Sequence, residues 1–356
     1  MKHLRTTRSS RHLLIVLTAA AAVSAACGSD GASSGADSSA ASPVVATTTI
    51  WADVTSQVLC GEVEVSPLIP QGTDAHTFEP SVQDADALRS AQLVVANGLG
   101  LEEGLHDSLE SAEADGVTVL EVAPELTPLA AEDEHAADEH AEGGDEHAAE
   151  EEHAEDGDEH ASEDEHGHGD EDPHVWMDPE RVAEAVPLIA AAAADLDDLG
   201  VTAEQIDECA NAYVAELQSL SAEMSTTLAA VPGAQRKLVT NHEALAYFAD
   251  RFDFTVVGAV IPSTSSLGES NPRELDELAE TMRDQGVQAV FAETTGATEL
   301  ADALADQVGG SVQVVELFTE SLGDAGSGAA SYTEMMSTNA ERVAGALGAG
   351  AGSGAN

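Results

Sequence analysis

The sequence predicts an α/β fold of two lobes, each with a central, mostly parallel sheet flanked by helices, joined by a long rigid α-helix. Three observations predict it. Short β-branched runs alternate with helix-like segments from Val44 to about Ala131, and the alternation resumes beyond Pro232, the pattern of parallel strands with crossover helices. Between the two sets lies one long amphipathic stretch, residues 202–231. The chain of 356 residues, 43% apolar, has the length for two cores and an ordinary globular composition.

Residues 1–26 read as an export signal: basic Lys2, Arg5, Arg8 and Arg11, then the apolar "LLIVLTAAAAV" and the small residues of "SAAC". The apolar stretch is too short for a transmembrane span. A Cys directly after small residues resembles a bacterial lipobox, although Ser24 stands where Leu is usual. Lipid attachment at Cys27 would anchor the chain to the outer face of the cytoplasmic membrane; cleavage at Ala25 or Ala26 would release it. Residues 27–43 contain the Gly/Ser-rich "GSDGASSGADSSAASP" and are expected to be a flexible tether.

The N-terminal lobe is expected over residues 44–201. "VVATTTIWADVTSQVL" gives a strand and a helix, "VEVSPLIP" a second strand, "DADALRSA" a short helix, and "QLVVANG" and "VTVLEV" two further strands. Residues 131–172 interrupt the pattern with five "DEH" units, one "EEH" and His168, among 21 carboxylates and no basic residue. Such a segment can form no core and is expected to be a disordered, solvated insertion. Order should return at "DPHVWMDPERVAEAVPLIAAAAADL", with "DPER" as a helix start.

The connecting helix opens with Thr202 three residues before Gln205, the spacing of a capping box. Ile206, Cys209, Tyr213, Leu217, Leu220, Met224 and Leu228 follow at helical spacing. The C-terminal lobe, residues 232–348, repeats the alternation: "KLVTNH" and "EALAYFADRF", "FTVVGAVI" and "RELDELAETMRDQG", "VQAVFAET" and "GATELADALADQVGG", "VQVVELF" and "SYTEMMSTNAERVAGAL". Residues 349–356 form a tail. Outside the signal region only Cys60 and Cys209 remain. In an oxidising compartment two leftover cysteines suggest one disulfide, which could stabilise by about 5 kcal/mol in the chain-entropy model.

A formal net charge of −55 excludes a general nucleic-acid binder, which must neutralise phosphates, and favours cationic partners. Four residues lie in or beside loops at strand ends: His76 in "PQGTDAHTFEP", His174 in "EDPHVWMDP", His242 in "LVTNHEALAYF" and Glu320 in "ELFTESLGD". Each alone has a plainer reading: His76 as a surface-loop histidine, His174 as the last histidine of the tract, His242 as a cap-region residue and Glu320 as a solvated acid. Together they are a nitrogen/oxygen set suited to Zn²⁺ and able to fill a tetrahedron.

With these motifs in hand, the chain from Val44 to Leu347 resembles the metal-binding substrate-binding proteins of bacterial ABC transporters, in particular the zinc-uptake, ZnuA-like type. "GTDAHTFEPS", "DPHVWMDP" and "NHEALAYF" each match a family motif, and the resemblance implies His76, His174 and His242 as metal ligands. The family's fourth ligand is commonly an Asp in a segment like "FTESLG", where this chain has Glu320. Manganese and iron members place Glu where this chain has His242, so the resemblance favours zinc, and imidazole is a softer ligand than manganese prefers. Zinc-type members also often carry a His/acid-rich loop between the first two ligands, where this insertion lies.

The expected function follows: extracytoplasmic capture of Zn²⁺ as cargo between the lobes and delivery to an ABC permease and its ATPase, with a zinc chaperone as a further candidate partner. His174 should be an ordered, tight ligand. The insertion's His135, His140, His147, His153, His160, His166 and His168 should gather zinc weakly and raise its local concentration; a solvated linker or a site for other metals are the alternatives. Other readings of the whole chain are a manganese-type binding protein and an extracytoplasmic zinc buffer or adhesin-like surface protein without a transport role. An enzyme is not expected: "HEALA" begins like a zincin helix, but Ala246 stands where the second His is required.

Overall fold

The computed structural model describes residues 42–131, 171–196, 198–296, 298–310 and 312–348. The export signal, Cys27, nearly all of the tether, the seven insertion histidines and the tail lie outside the described residues.

Strands β1 (Val44–Ala46), β2 (Val65–Pro67), β3 (Leu93–Ala96) and β4 (Thr118–Glu121) form an all-parallel sheet in the order β2-β1-β3-β4. Every residue of β1 and β3 is buried, as central parallel strands with both faces covered must be. Helices α1 (Thr49–Val58), α2 (Val82–Ser90) and α3 (His106–Ala114) are the crossovers. Thr48 caps α1, its hydroxyl accepting from the Trp51 N–H at 3.2 Å. Next come α4 (Pro179–Ala194), capped by Asp178, and α5 (Ala203–Leu228), whose Thr202/Gln205 capping box is formed as the spacing implied.

The second sheet, also all parallel, runs β6-β5-β7-β8 from β5 (Lys237–Thr240), β6 (Thr255–Ala259), β7 (Ala289–Glu293) and β8 (Gln313–Leu317). Helices α6 (Ala246–Phe252), α7 (Pro272–Gln285), α8 (Glu299–Val308) and α9 (Tyr332–Gly348) accompany it. The final helix does something its sequence did not announce. α9 follows the C-terminal sheet yet packs on α5 and on α1 of the first lobe. One hydrophobic core consequently runs from the first sheet through α4, α5 and α9 to one face of the second sheet, including Phe248, Phe291 and Leu317. A smaller cluster around Val239, Ala279, Met282 and Leu304 lies on the other face.

Cys60 and Cys209 are disulfide-bonded, with Cα atoms 5.5 Å apart, tying the end of α1 to α5. No helix among the described residues is long and apolar enough to cross a membrane. The connecting helix ends at Leu228, three residues short of the expected 231, and α6 begins at Ala246 instead of Glu243. α3, where only Leu109 and Ala112 are buried, is a helix that the apolar pattern does not predict.

The insertion's expected boundary needs correcting. Glu171 pairs with Ala130 in an antiparallel bridge, and the Asp172 N–H donates to the Leu129 carbonyl at 2.8 Å. Asp172 is 1% exposed. Both residues therefore belong to the folded lobe, because their backbone groups are paired across the insertion's base.

Candidate metal centre

Four segments converge between the lobes. His76 lies on the loop from β2 to α2, and that loop passes so close to Gly104 that a Cβ there would meet the Phe78 carbonyl oxygen at 2.3 Å. Only glycine tolerates such an approach. His174 precedes a 3-10 turn, Val175–Met177, that leads into α4. His242 follows β5, and Glu320 follows β8, at the carboxyl ends of the strands where open α/β sheets form ligand crevices.

The Nε2 atom of His174 lies 3.4 Å from Nε2 of His76, 3.1 Å from Nε2 of His242 and 3.4 Å from Oε1 of Glu320. His242 Nε2 is 3.8 Å from the same Glu320 oxygen. One donor atom from each of the four residues lies within 4.8 Å of every other. All four side chains are buried: His174 and His242 at 0% exposed, Glu320 at 2% and His76 at 5%.

Two of the rings are held from behind by carboxylates. Asp172 Oδ1 accepts from His174 Nδ1 at 2.7 Å and also from the His174 N–H at 2.9 Å. Glu293 Oε1 pairs with His242 Nδ1. Such contacts fix the tautomer so that Nε2 points its lone pair into the centre. The Tyr247 hydroxyl donates to the Asp172 carbonyl at 2.7 Å and accepts from the Leu129 N–H at 2.9 Å, securing the segment before His174. Trp176 Nε1 donates to the Thr319 carbonyl at 2.7 Å, joining the His174 turn to the residue before Glu320.

This environment separates the titrations of chemically similar groups. Burial, with the positive charge of the other imidazoles, pulls His76 down to about 3 against a partial opposing effect of Glu320. Burial acts the same way on His174, but the charge and hydrogen bond of Asp172, reinforced by Glu320, outweigh it and hold that imidazole up to about 10. Burial would raise Glu320, yet the hydrogen bond and charge of His174, followed by His76 and His242, bring it to about 2. The two shifts run in opposite directions and favour a protonated His174 beside an ionised Glu320.

The four residues singled out from the sequence are brought together. Asp172, Glu293 and Tyr247 were not anticipated. Asp172 is hidden in a run of acids of like composition, whereas Glu293, the last residue of β7, sits at the strand end where the His242 and Glu320 segments leave the same sheet.

Residues 44–346 match the family described as zinc-uptake complex component A, periplasmic. The manganese-binding lipoprotein MntA of Halalkalibacterium halodurans is 27% identical over 293 residues, covering 82% of this chain and 84% of that one. The zinc-binding protein TroA of Treponema pallidum is 26% identical over 302 residues, covering 83% and 85%. The solved structure of periplasmic zinc-binding TroA superposes with a TM-score of 0.69 at 25% identity, covering 85% of this chain and 98% of that one.

Proposed function

The chain belongs to the zinc-uptake complex component A family, metal-binding, substrate-binding components of ABC importers, and on that premise we propose that its cargo is Zn²⁺, captured between the lobes by His76, His174, His242 and Glu320. Membership makes it a binding protein and not an enzyme. It also implies a permease and ATPase as partners, with the protein working outside the cytoplasm. We include lipid attachment at Cys27 and weak zinc gathering by the insertion in the same proposal.

The observation that carries the zinc assignment is a buried cluster of three imidazoles and one carboxylate whose ligand atoms all lie within 4.8 Å of one another. Apart from the His174 imidazole 3.4 Å away, the buried Glu320 carboxylate oxygens meet no hydrogen-bond donor, a costly arrangement that a cation would relieve. Zinc–nitrogen bonds of about 2.0–2.1 Å place tetrahedral ligand atoms about 3.3–3.4 Å apart; four of the six ligand-to-ligand separations run from 3.1 to 3.8 Å, and all six lie within 4.8 Å. Four protein groups complete a tetrahedron and leave no open position for the reactive water of a hydrolase.

Manganese is the second candidate, favoured by the name of the MntA relative. Three imidazoles argue against it, since manganese prefers carboxylate and water ligands.

Metal analysis and chelator competition on protein lacking residues 132–170 test the assignment. The deletion must spare Asp172, which braces His174. One tight zinc, outcompeting manganese and lost or greatly weakened by His174→Ala, is the expected result. Tight zinc that vanishes with the insertion would move the site into the histidine tract, and a buffer role would then replace transport.

A further inference from the structure

We propose that Asp74 positions His76 and, with Ser266 of the opposite lobe, forms a latch that sets how long the captured cation is retained. The proposal rests on the four-residue cluster being the zinc site. Its starting point is an asymmetry in bracing. His174 and His242 each have a carboxylate at Nδ1, while among the described residues no carboxylate pairs with the His76 ring. His76 is held through its backbone instead: its N–H donates to Asp74 Oδ1 at 2.9 Å.

The other Asp74 oxygen reaches across the cleft. Asp74 Oδ2 accepts from the Ser266 hydroxyl, on the segment between β6 and α7. That segment is itself fastened to the His242 strand end, with Ile261 N–H donating to the Asn241 carbonyl at 2.8 Å and Glu243 N–H to the Ser263 carbonyl at 2.9 Å. A hydrogen-bonded path thus runs from the His242 segment through Ser266 and Asp74 to His76. On its other side the His76 loop is strapped beside Glu320, where the Gly72 N–H donates to Ser321 Oγ at 2.9 Å.

His76 is the most exposed of the four groups, at 5%, so the latch closes the corner of the cluster nearest solvent. A continuous core joins the lobes, which leaves loop release as the motion by which this corner can open. The Ser266 hydroxyl bonds to Asp74 and to no member of the cluster. Its loss should change retention without changing the ligand set.

The test uses the full chain and zinc alone. Dissociation is timed by transfer to an excess of chelator, and the melting temperature of the zinc-free protein is followed in parallel. Ser266→Ala should release zinc about three- to tenfold faster, the effect of one modest hydrogen bond, with at most the small fall in zinc-free melting temperature that the same bond carries. Asp74→Ala, which loses both bonds, should be faster still. Asp74→Asn should recover most of that loss, because its amide can accept from the His76 N–H and donate to Ser266. Release from Ser266→Ala within about twofold of the parent overturns the latch while His174→Ala still abolishes tight binding. If His174→Ala leaves tight zinc untouched, the cluster assignment fails and the latch fails with it.

Discussion

At the scale of single residues, the centre differs from three free imidazoles in how it holds protons. Free histidines titrate near about 6.5, so affinity for zinc would level off above neutral pH. Here Asp172 and Glu320 hold His174 up to about 10, while burial takes His76 down to about 3. The metal-free protein should therefore carry the His174 proton through neutral pH, and zinc would have to displace it. The sign follows directly: as pH falls the proton competes better and affinity falls; as pH rises affinity increases until His174 titrates. From about pH 7 to about pH 9, zinc affinity should rise about tenfold per unit, one proton leaving per zinc. Competition titrations over that range check it, and a plateau above about pH 7.5 would show His174 behaving as an ordinary imidazole. Asp172→Asn supplies the control. Losing that carboxylate should lower the His174 pKa, flatten the rise and weaken binding about 10- to 100-fold, as removal of a ligand's supporting carboxylate generally does.

At the scale of elements, legibility depended on whether the signal was local. The capping box at Thr202 and Gln205 and the apolar spacing from Ile206 to Leu228 gave the connecting helix directly, because both are properties of one segment. α3 was missed because a helix burying only Leu109 and Ala112 leaves almost no periodicity to read. The ligand motifs were recognisable as sequence, but the carboxylates behind the rings were not. Glu293 lies 51 residues from His242 along the chain, so only strand pairing brings them together. Gly104 belongs to the same class: it looks like any loop glycine, yet it admits the Phe78 carbonyl behind the His76 loop. Gly104→Ala should consequently push that loop out of place. Because the opposing atom is backbone and cannot swing aside, weakened zinc binding is expected at a site the residue never touches. Calorimetric titration of the variant decides it, and unchanged affinity would mean that the loop moves independently of its His76.

At the scale of the whole molecule, the connecting helix alone would allow two lobes to pivot on one stiff rod. Adjacent domains move freely unless their interface is large and apolar, and here the apolar condition is met twice. α5 packs on α1 and α4, and α9, arriving from the C-terminal sheet, packs on both α5 and α1. The Tyr332 hydroxyl at the start of α9 donates to the Trp176 carbonyl at 2.7 Å, and its N–H donates to Asp53 of α1 at 2.8 Å. The Cys60–Cys209 disulfide further pins α5 to the first lobe. Opening by rigid rotation would have to split a core that runs unbroken between the lobes. Loop release needs only a few hydrogen bonds to part. Protein lacking residues 132–170 should therefore show little difference in radius of gyration between its zinc-free and zinc-bound forms in solution scattering. The same samples should differ in hydrogen exchange, with protection gained on zinc binding at residues 71–78 and 261–270 and little change in α5 and α9. A large compaction on adding zinc would require α9 to leave α1, and gating would then belong to the lobes and not to the loops.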